Sequence, residues 1–518
     1  MRNIFYYLIA MLFALVSCDK DMPETQEIDA TLAGEELTKV DLAAKKMKTT
    51  VVGTGIAAQD VAAVQNAVDN YNHVTLSGTF DFGSDETTGG VDINRENVIV
   101  QGPATILNGA KTVLTPELGS VRYPISIRAP GVEIRKLTLS GEFEAVLIYA
   151  QEDGKPVILE ENNITASVAG FAASATPGGI KVIDNVTEAL FGYLSLFSKG
   201  HTELVNNDIT AAFDGVYMFD FNHRLDIVGN TFNSIGFTGI WIGAWSVSNQ
   251  TDPEYGDNAP IRVIDNTFEM ASKEFAAGIM IGASDYGINN VLVKGNTLTG
   301  EAGYGGLMKQ PYGHNNIFID NDLTGLTTYS PQIWILGGRN SHFKNNTLGM
   351  VEPFWLDSWA PAFNDAATLV SPINWHEKDF LNTPDPVHFG NHISNNDYTM
   401  TGVTGWSEDP ESVGAVLLLD FLQKFDNGFT GEGPFQESFV MENFITENKF
   451  PSGTDVCNQV LDLNPGTNQI AGWKACLAKT NKSDKQWVKQ RYENFGQIIK
   501  EKHQKREKIY KERKNKKM

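Results

Sequence analysis

The chain is poor in cysteine, in basic charge and in long apolar runs. Its 518 residues contain three cysteines, Cys18, Cys457 and Cys476, which leaves room for at most one disulfide. Lys and Arg number 41 against 63 Asp and Glu, a net charge of −22, which argues against nucleic acid because phosphate binding needs a basic surface. The apolar run IFYYLIAMLFALV after Arg2 is too short and wrongly flanked for a spanning helix. No Gly-rich phosphate loop, zinc-ligand spacing or nucleophile elbow stands out, so no motif points to nucleotide, zinc or α/β-hydrolase chemistry. What is plentiful is glycine (48) and phenylalanine (29), which suit many turns around a stacked interior.

Asparagine recurs down the middle of the chain in one local pattern: Asn163, Asn185, Asn207, Asn230, Asn266, Asn296, Asn321 and Asn346, at intervals of 22 to 36 residues. Asn396 resumes the series after a longer excursion over 360–390, and Asn448 is a further rung. A period of this length with one short strand motif per repeat marks a solenoid. An amide both donates and accepts, so stacked copies can bond one another, and Asn tolerates the left-handed backbone of a tight turn.

Both ends of the chain differ from the middle. LVSC at 15–18 resembles the lipobox of bacterial lipoproteins. That resemblance implies a signal peptide over 1–17, cleavage before Cys18, acylation of Cys18, and a lipid-anchored, extracytoplasmic protein on the surface of a bacterial outer membrane. Residues 18–50 are acidic at first and low in aromatics, and read as a flexible tether. The repeats occupy 51–480. Residues 481–518 form a basic, helix-like tail with Trp487, Tyr492, Phe495, Ile498 and Ile499 as apolar points. It reads as a solvated charged helix or as an adhesive for anionic lipid or glycan. In an oxidising compartment Cys457 and Cys476 are expected to pair; two separate thiols are the alternative.

Residues 60–71 read as an amphipathic helix capped by Asp60, with Val61, Val64, Val68 and Tyr71 on one face, followed by the strand HVTLSGTFDF. Helix, strand, then repeats resembles the entry to right-handed parallel β-helices of the pectate-lyase-like superfamily. The resemblance covers roughly residues 55–475 and implies an all-β, right-handed parallel β-helix solenoid with an N-terminal capping helix.

Six segments align as successive coils: 215–223, 239–247, 278–286, 306–314, 332–340 and 353–361. Alternate strand residues point opposite ways. Val216/Met218, Ile240/Ile242, Ile279/Ile281, Leu307, Ile333/Ile335 and Phe354/Leu356 should fill the interior. Tyr217, Trp241, Met280, Met308, Trp334 and Trp355 then face outward, and a later column adds Phe221, Trp245, Tyr312 and Trp359. Sugars stack their C–H faces on aromatic rings, so an open stripe suits an extended polysaccharide. The other reading is that the excursion over 360–440 folds back and buries the stripe as a second core.

Polar residues gather beyond these strands: Asp220, Asp285, Tyr312, His314, Arg339 and Asp357, with Asp285, His314 and Arg339 in nearly one column. Lys309 interrupts the interior column, so a bulge is expected to turn it outward. A polysaccharide lyase acting by β-elimination at a uronic acid would use Arg339 on the carboxylate, Lys309 or His314 as base and Tyr312 as acid. A Lys/Arg pair on neighbouring coils resembles the alginate and chondroitin lyases of this superfamily. A glycoside hydrolase would instead pair two of Asp220, Asp285 and Asp357. A non-catalytic glycan-binding or adhesion protein is the third class. Asp252, Glu254 and Asp257 offer oxygen ligands suited to calcium, or else form an acidic surface loop; no other cofactor is called for.

Overall fold

Short strands separated by left-handed single residues give a chain that can only coil and stack. The computed structural model describes residues 48–116, 118–149, 151–174, 176–198, 200–219, 224–243, 260–273, 276–282, 288–309, 313–336, 338–352, 366–371, 388–405, 413–418, 440–462 and 468–480. Within these, each coil has three walls. One coil runs Val146–Tyr149 on the front wall, Val157–Glu160 on the second and Asn163–Thr165 on the third. The front wall is a 13-stranded parallel sheet from Val91–Ile93 to Val460–Asp462. The second and third walls also stack in parallel, with register shifts at Gln101/Ala104, Phe232/Ile235 and Thr297/Thr299; Ile158, for example, sits on Lys181 and Ile164 on Thr187. The fold is an all-β parallel β-helix.

The interior follows the expected alternation. Val216, Met218, Ile240, Ile242, Ile279, Ile281, Leu307, Ile333 and Ile335 all lie in one continuous buried cluster that reaches from Val64 to Cys476. Each such side chain contributes about 1.5–3 kcal/mol on burial. Aromatic residues stack coil on coil inside it: Phe232 on Phe268 at 4.6 Å and Phe318 on Phe343 at 4.4 Å. The glycines that open the front-wall segments make room for these rings. A Cβ on Gly215 would lie 2.5 Å from Phe232 Cδ1, and one on Gly239 2.7 Å from Phe268 Cδ1.

The asparagine ladder exists, displaced by one residue at its start. Asn162 is the buried rung, and Asn163 is exposed. The rungs continue through Asn185, Asn207, Asn230, Asn266, Asn296, Asn321, Asn346, Asn396 and Asn448. At each step the Oδ1 of one rung accepts both the backbone N–H and the Nδ2–H of the rung before; Asn185 N and Nδ2 both reach Asn207 Oδ1 at 3.0 Å. Asn185 Nδ2 also donates to Leu159 O at 2.9 Å. The left-handed residue is the one before each rung, not the rung itself: Glu161, Asp184, Asn206, Asp265, Asp320 and Asn345 have φ between 54 and 57°. The sequence pattern also hid a second ladder at another corner, Asn316–Ser341–Asn391–Asn443–Asn468.

Other expectations shift in detail. The first strand is Lys48–Val52, which reaches back into the stretch read as a tether and stacks on His73–Asp81. Helix α1 spans Ala57–Asn70, with Ile56 at its N-cap. Asp60 therefore does not cap it. Its buried carboxylate instead ties the preceding loop to the first coil, accepting from Thr54 N, Gly55 N and Asp81 N at 2.7–2.9 Å. Helix α1 still covers the open end of the stack, burying Val64, Ala67 and Val68. Residues 360–390 are not simply an excursion, because Ala366–Ser371 is a front-wall strand. Near the other end, Cys457 and Cys476 form the expected disulfide and join helix α2 (Val456–Gln459) to helix α3 (Trp473–Thr480). The tail at 481–518 and Cys18 lie outside the described residues.

Candidate functional site

The outer face of the front wall carries a single column set by backbone register. Leu147, Ala172, Leu194, Tyr217, Trp241, Met280, Met308, Trp334 and Leu369 follow one another rung by rung. The rung after Trp334 is therefore Leu369, not Trp355. This removes Trp355, Asp357 and Trp359 from the positions the six-segment alignment gave them; all three lie outside the described residues.

The stripe is not an open groove along its described length. Tyr217 is 4% exposed, Met308 2% and Trp334 6%, while Leu194 and Trp241 are half-buried. The reason is the area involved: a contiguous aromatic and aliphatic face of this size costs too much to leave in water. Tyr217 stacks on Phe219 at 4.6 Å and meets Trp241 edge-on at 5.4 Å. These rings join Val121, Leu147 and Phe191 in a second buried cluster outside the solenoid interior. Trp241 Nε1 donates to Gly282 O at 3.0 Å. Of the sugar-stacking candidates, Tyr217 and Trp334 thus have no open ring face. Trp245 lies outside the described residues.

Among the proposed catalytic residues, Asp220, Asp285 and Tyr312 lie outside the described residues, as do the calcium candidates Asp252, Glu254 and Asp257. Among the described residues no three His, Cys, Asp or Glu side chains gather as a metal site. Lys309 ends the front-wall strand Gly305–Lys309. The bulge expected there is absent: Lys309 pairs in regular register with Ile281 on one side and Ile335 on the other. His314 follows on the turn into the second wall. Its N–H donates to Asn289 Oδ1 at 2.7 Å, and its carbonyl accepts from Asn290 N at 3.0 Å. Arg339 lies on the short strand Gly338–Arg339, which stacks on His388–Phe389. Ile317 pairs with His342, so His314 and Arg339, each three residues earlier, occupy equivalent points of adjacent coils.

Two charged clusters escaped the sequence reading. Where the front-wall face begins, Asp92 accepts from Ser126 Oγ at 2.6 Å, from Tyr123 Oη at 2.8 Å and from Lys111 Nζ. Burial pushes the Asp92 carboxyl up, but these three bonds outweigh it and hold it below the usual range. Burial and the Asp92 charge both push the Tyr123 phenol far up, which suits a hydrogen-bond donor and not a base. Lys111 and Tyr123 arrive on the antiparallel hairpin Lys111–Thr115/Gly119–Tyr123, so the cluster ties that hairpin to the first coils. Beside it the Arg128 guanidinium lies 5.2 Å from the Tyr149 ring centre. On the second wall, Asp226 receives Arg262, His201 and Arg224. Burial raises its carboxyl, and the Arg262 and His201 bonds more than reverse that. No motif announced either cluster, because Lys111 lies 19 residues from Asp92 and Arg262 lies 36 from Asp226, and only the folded chain brings them together.

No family model matches the chain, and no curated protein matches it. Among solved structures it is similar to the A-module of the mannuronan C-5 epimerase AlgE6 of Azotobacter vinelandii, with 12% identity over 81% of this chain and 96% of that one, at a TM-score of 0.37.

Proposed function

We propose that the protein acts on an extended, uronate-containing polysaccharide and cleaves it by β-elimination. The observation that supports the reading is the stacking of Ile317 on His342, whose register carried back three residues gives His314 and Arg339 backbones about one coil spacing, roughly 4.8 Å, apart along the stack. Lys309 leads into the same turn from the front wall. A uronate lyase needs one cation at the sugar carboxylate and a base beside it. Arg339 neutralises the carboxylate, which acidifies the C5 proton. His314 takes that proton, the C4–O bond breaks as the C4–C5 double bond forms, and Tyr312 returns a proton to the leaving oxygen; Lys309, in register with the interior positions Ile281 and Ile335, is the weaker candidate for the base. The half-buried Trp241 is the described ring of the column that retains some surface for a sugar. The lipobox-like LVSC further suggests that Cys18 anchors the enzyme to an outer-membrane lipid; radiolabelled palmitate incorporation that Cys18→Ala abolishes is the expected result.

The test is incubation of the full-length protein with a panel of uronate polysaccharides, followed by ultraviolet absorbance of the unsaturated product. Arg339→Ala should lower turnover by about 10²–10³-fold, the range seen when one transition-state charge partner is lost. Near-wild-type turnover removes Arg339 from the role. New reducing ends without absorbance replace elimination by hydrolysis, and retention on a glycan gel with neither product leaves a binding protein.

A further inference from the structure

The solenoid interior is largely apolar and its asparagine ladders are self-satisfied, but in the early coils the corner between the front and second walls is polar and is not. Tyr149 stacks on Ser174 and Ser174 on Leu196, so two residues further on Gln151, Thr176 and Ser198 fall in line where the front wall turns into the second. Thr176 Oγ1 donates to Ser198 Oγ at 3.0 Å, and Ser198 and Ser195 share a hydroxyl bond of 2.6 Å. Tyr193 and Thr202 point into the same coil, paired with interior positions Val216 and Leu225. All six residues are essentially withdrawn from solvent; Gln151 is the least so, at 4%.

This group is not satisfied by the protein. Both amide atoms of Gln151, the Tyr193 hydroxyl and Thr202 Oγ1 are buried without a protein partner. Burial pushes the Tyr193 phenol up to about 12; the Ser195 and Thr202 hydroxyls beside it oppose the rise, yet neither completes a bond of good geometry with it. The contrast lies within the same coils: the buried amides of Asn162, Asn185 and Asn207 are all fully bonded. Left dry, each such orphan would weaken folding by about tenfold. Four of them in one corner call for a small ligand that both donates and accepts.

We infer that this corner is a buried hydration site, in which a short file of ordered water bridges Gln151, Thr176 and Ser198 to Tyr193 and Thr202. Water fits because every group it must meet is a hydroxyl or a neutral amide, with no charge to recognise an ion. A buried water makes about three hydrogen bonds, so about two molecules are the minimum for these four atoms. The serine and threonine hydroxyls already bonded to each other can supply the remaining contacts.

Hydration reverses the sign of a substitution. Tyr193→Phe and Thr202→Val keep the shape of each side chain and remove its hydroxyl. In a dry corner each deletes an unmet group, and the melting temperature should rise or stay unchanged. In a hydrated corner each strips a bond from an ordered water, and the melting temperature should fall by about 1–3 °C. The double variant should then fall by less than the sum, because the two hydroxyls share a water. Crystallography of the full chain decides the matter directly. Density for water within hydrogen-bond distance of Tyr193 Oη and of the Gln151 amide is the expected result. A corner empty of density at a resolution that shows other buried waters, or melting temperatures that rise in both single variants, overturns the inference.

Discussion

Asn162 and Asn163 are neighbours of identical composition, and the structure assigns them opposite energetic roles. The Asn162 side chain is buried, accepts from Leu137 N at 3.1 Å, and donates to Ile134 O and Asn185 Oδ1, both at 2.9 Å. Asn162→Ala would strand the Leu137 N–H inside the turn, while the Ile134 carbonyl keeps its place in the ladder with the next coil. Asn185 Oδ1 would keep its bond from the Asn162 backbone N–H. The one orphaned buried donor makes a cost of about 1–3 kcal/mol. Asn163 is exposed at the start of its strand, so Asn163→Ala should change stability by no more than about 0.5 kcal/mol. A solenoid need not unfold in a single step, so a local readout is the sharper one. Amide hydrogen exchange at Leu137 should accelerate by about 5- to 160-fold in Asn162→Ala, the same free energy converted at 1.36 kcal/mol per decade, and hardly at all in Asn163→Ala. Equal acceleration in both variants, or a larger effect from Asn163, would refute the register of the ladder.

Further outcomes follow from buried titrating groups and from the cross-link. Burial first, then the stacked His392 ring 4.4 Å away and Lys344, lower His342 to about 4. A histidine depressed in the fold contributes stability above its unfolded value near 6.5 and loses it as pH falls toward 4, so acid unfolding in that window should weaken by on the order of 2 kcal/mol, allowing for partial exposure, in His342→Gln. The Asp214 carboxyl has the opposite sign: complete burial raises it well above its ordinary value, against the opposing bonds from Thr238. Its contribution is present below about pH 4 and declines as pH rises, so Asp214→Asn should stabilise the protein at pH 7–8 and change little at pH 4 in thermal melts. Reducing the Cys457–Cys476 bridge, which closes a loop with a sequence separation of 19, should cost about 3 kcal/mol by chain entropy and show first as faster amide exchange in helix α3.

The repeat, its period and its interior column were legible because each is enforced locally. A ladder rung demands a short amide, and an inward strand position demands an aliphatic side chain, whatever the rest of the chain does. The Cys457–Cys476 pair was legible because few cysteines compete. The errors have an equally physical origin. Asn162 and Asn163 differ only in which one the left-handed Glu161 turns inward. Asp60 looks like a cap by type, but its carboxylate is taken by the loop that precedes the helix. Lys309 stays in register where an isolated reading of its charge demanded a bulge. Spacing could not show that Ala366–Ser371, and not 353–361, continues the front wall, because coil length varies with each loop.

By itself the sequence determined the stacking architecture, since side-chain period and turn chemistry act over a few residues at a time. Only the tertiary structure decided what those walls expose. It closed the Tyr217 and Trp334 faces, gathered Asp92 with Lys111 and Asp226 with Arg262, and left the Gln151–Tyr193–Thr202 corner with unmet polar atoms. Burial and long-range pairing depend on which coils lie against each other, and residues 20 to 50 positions apart carry no local trace of that contact.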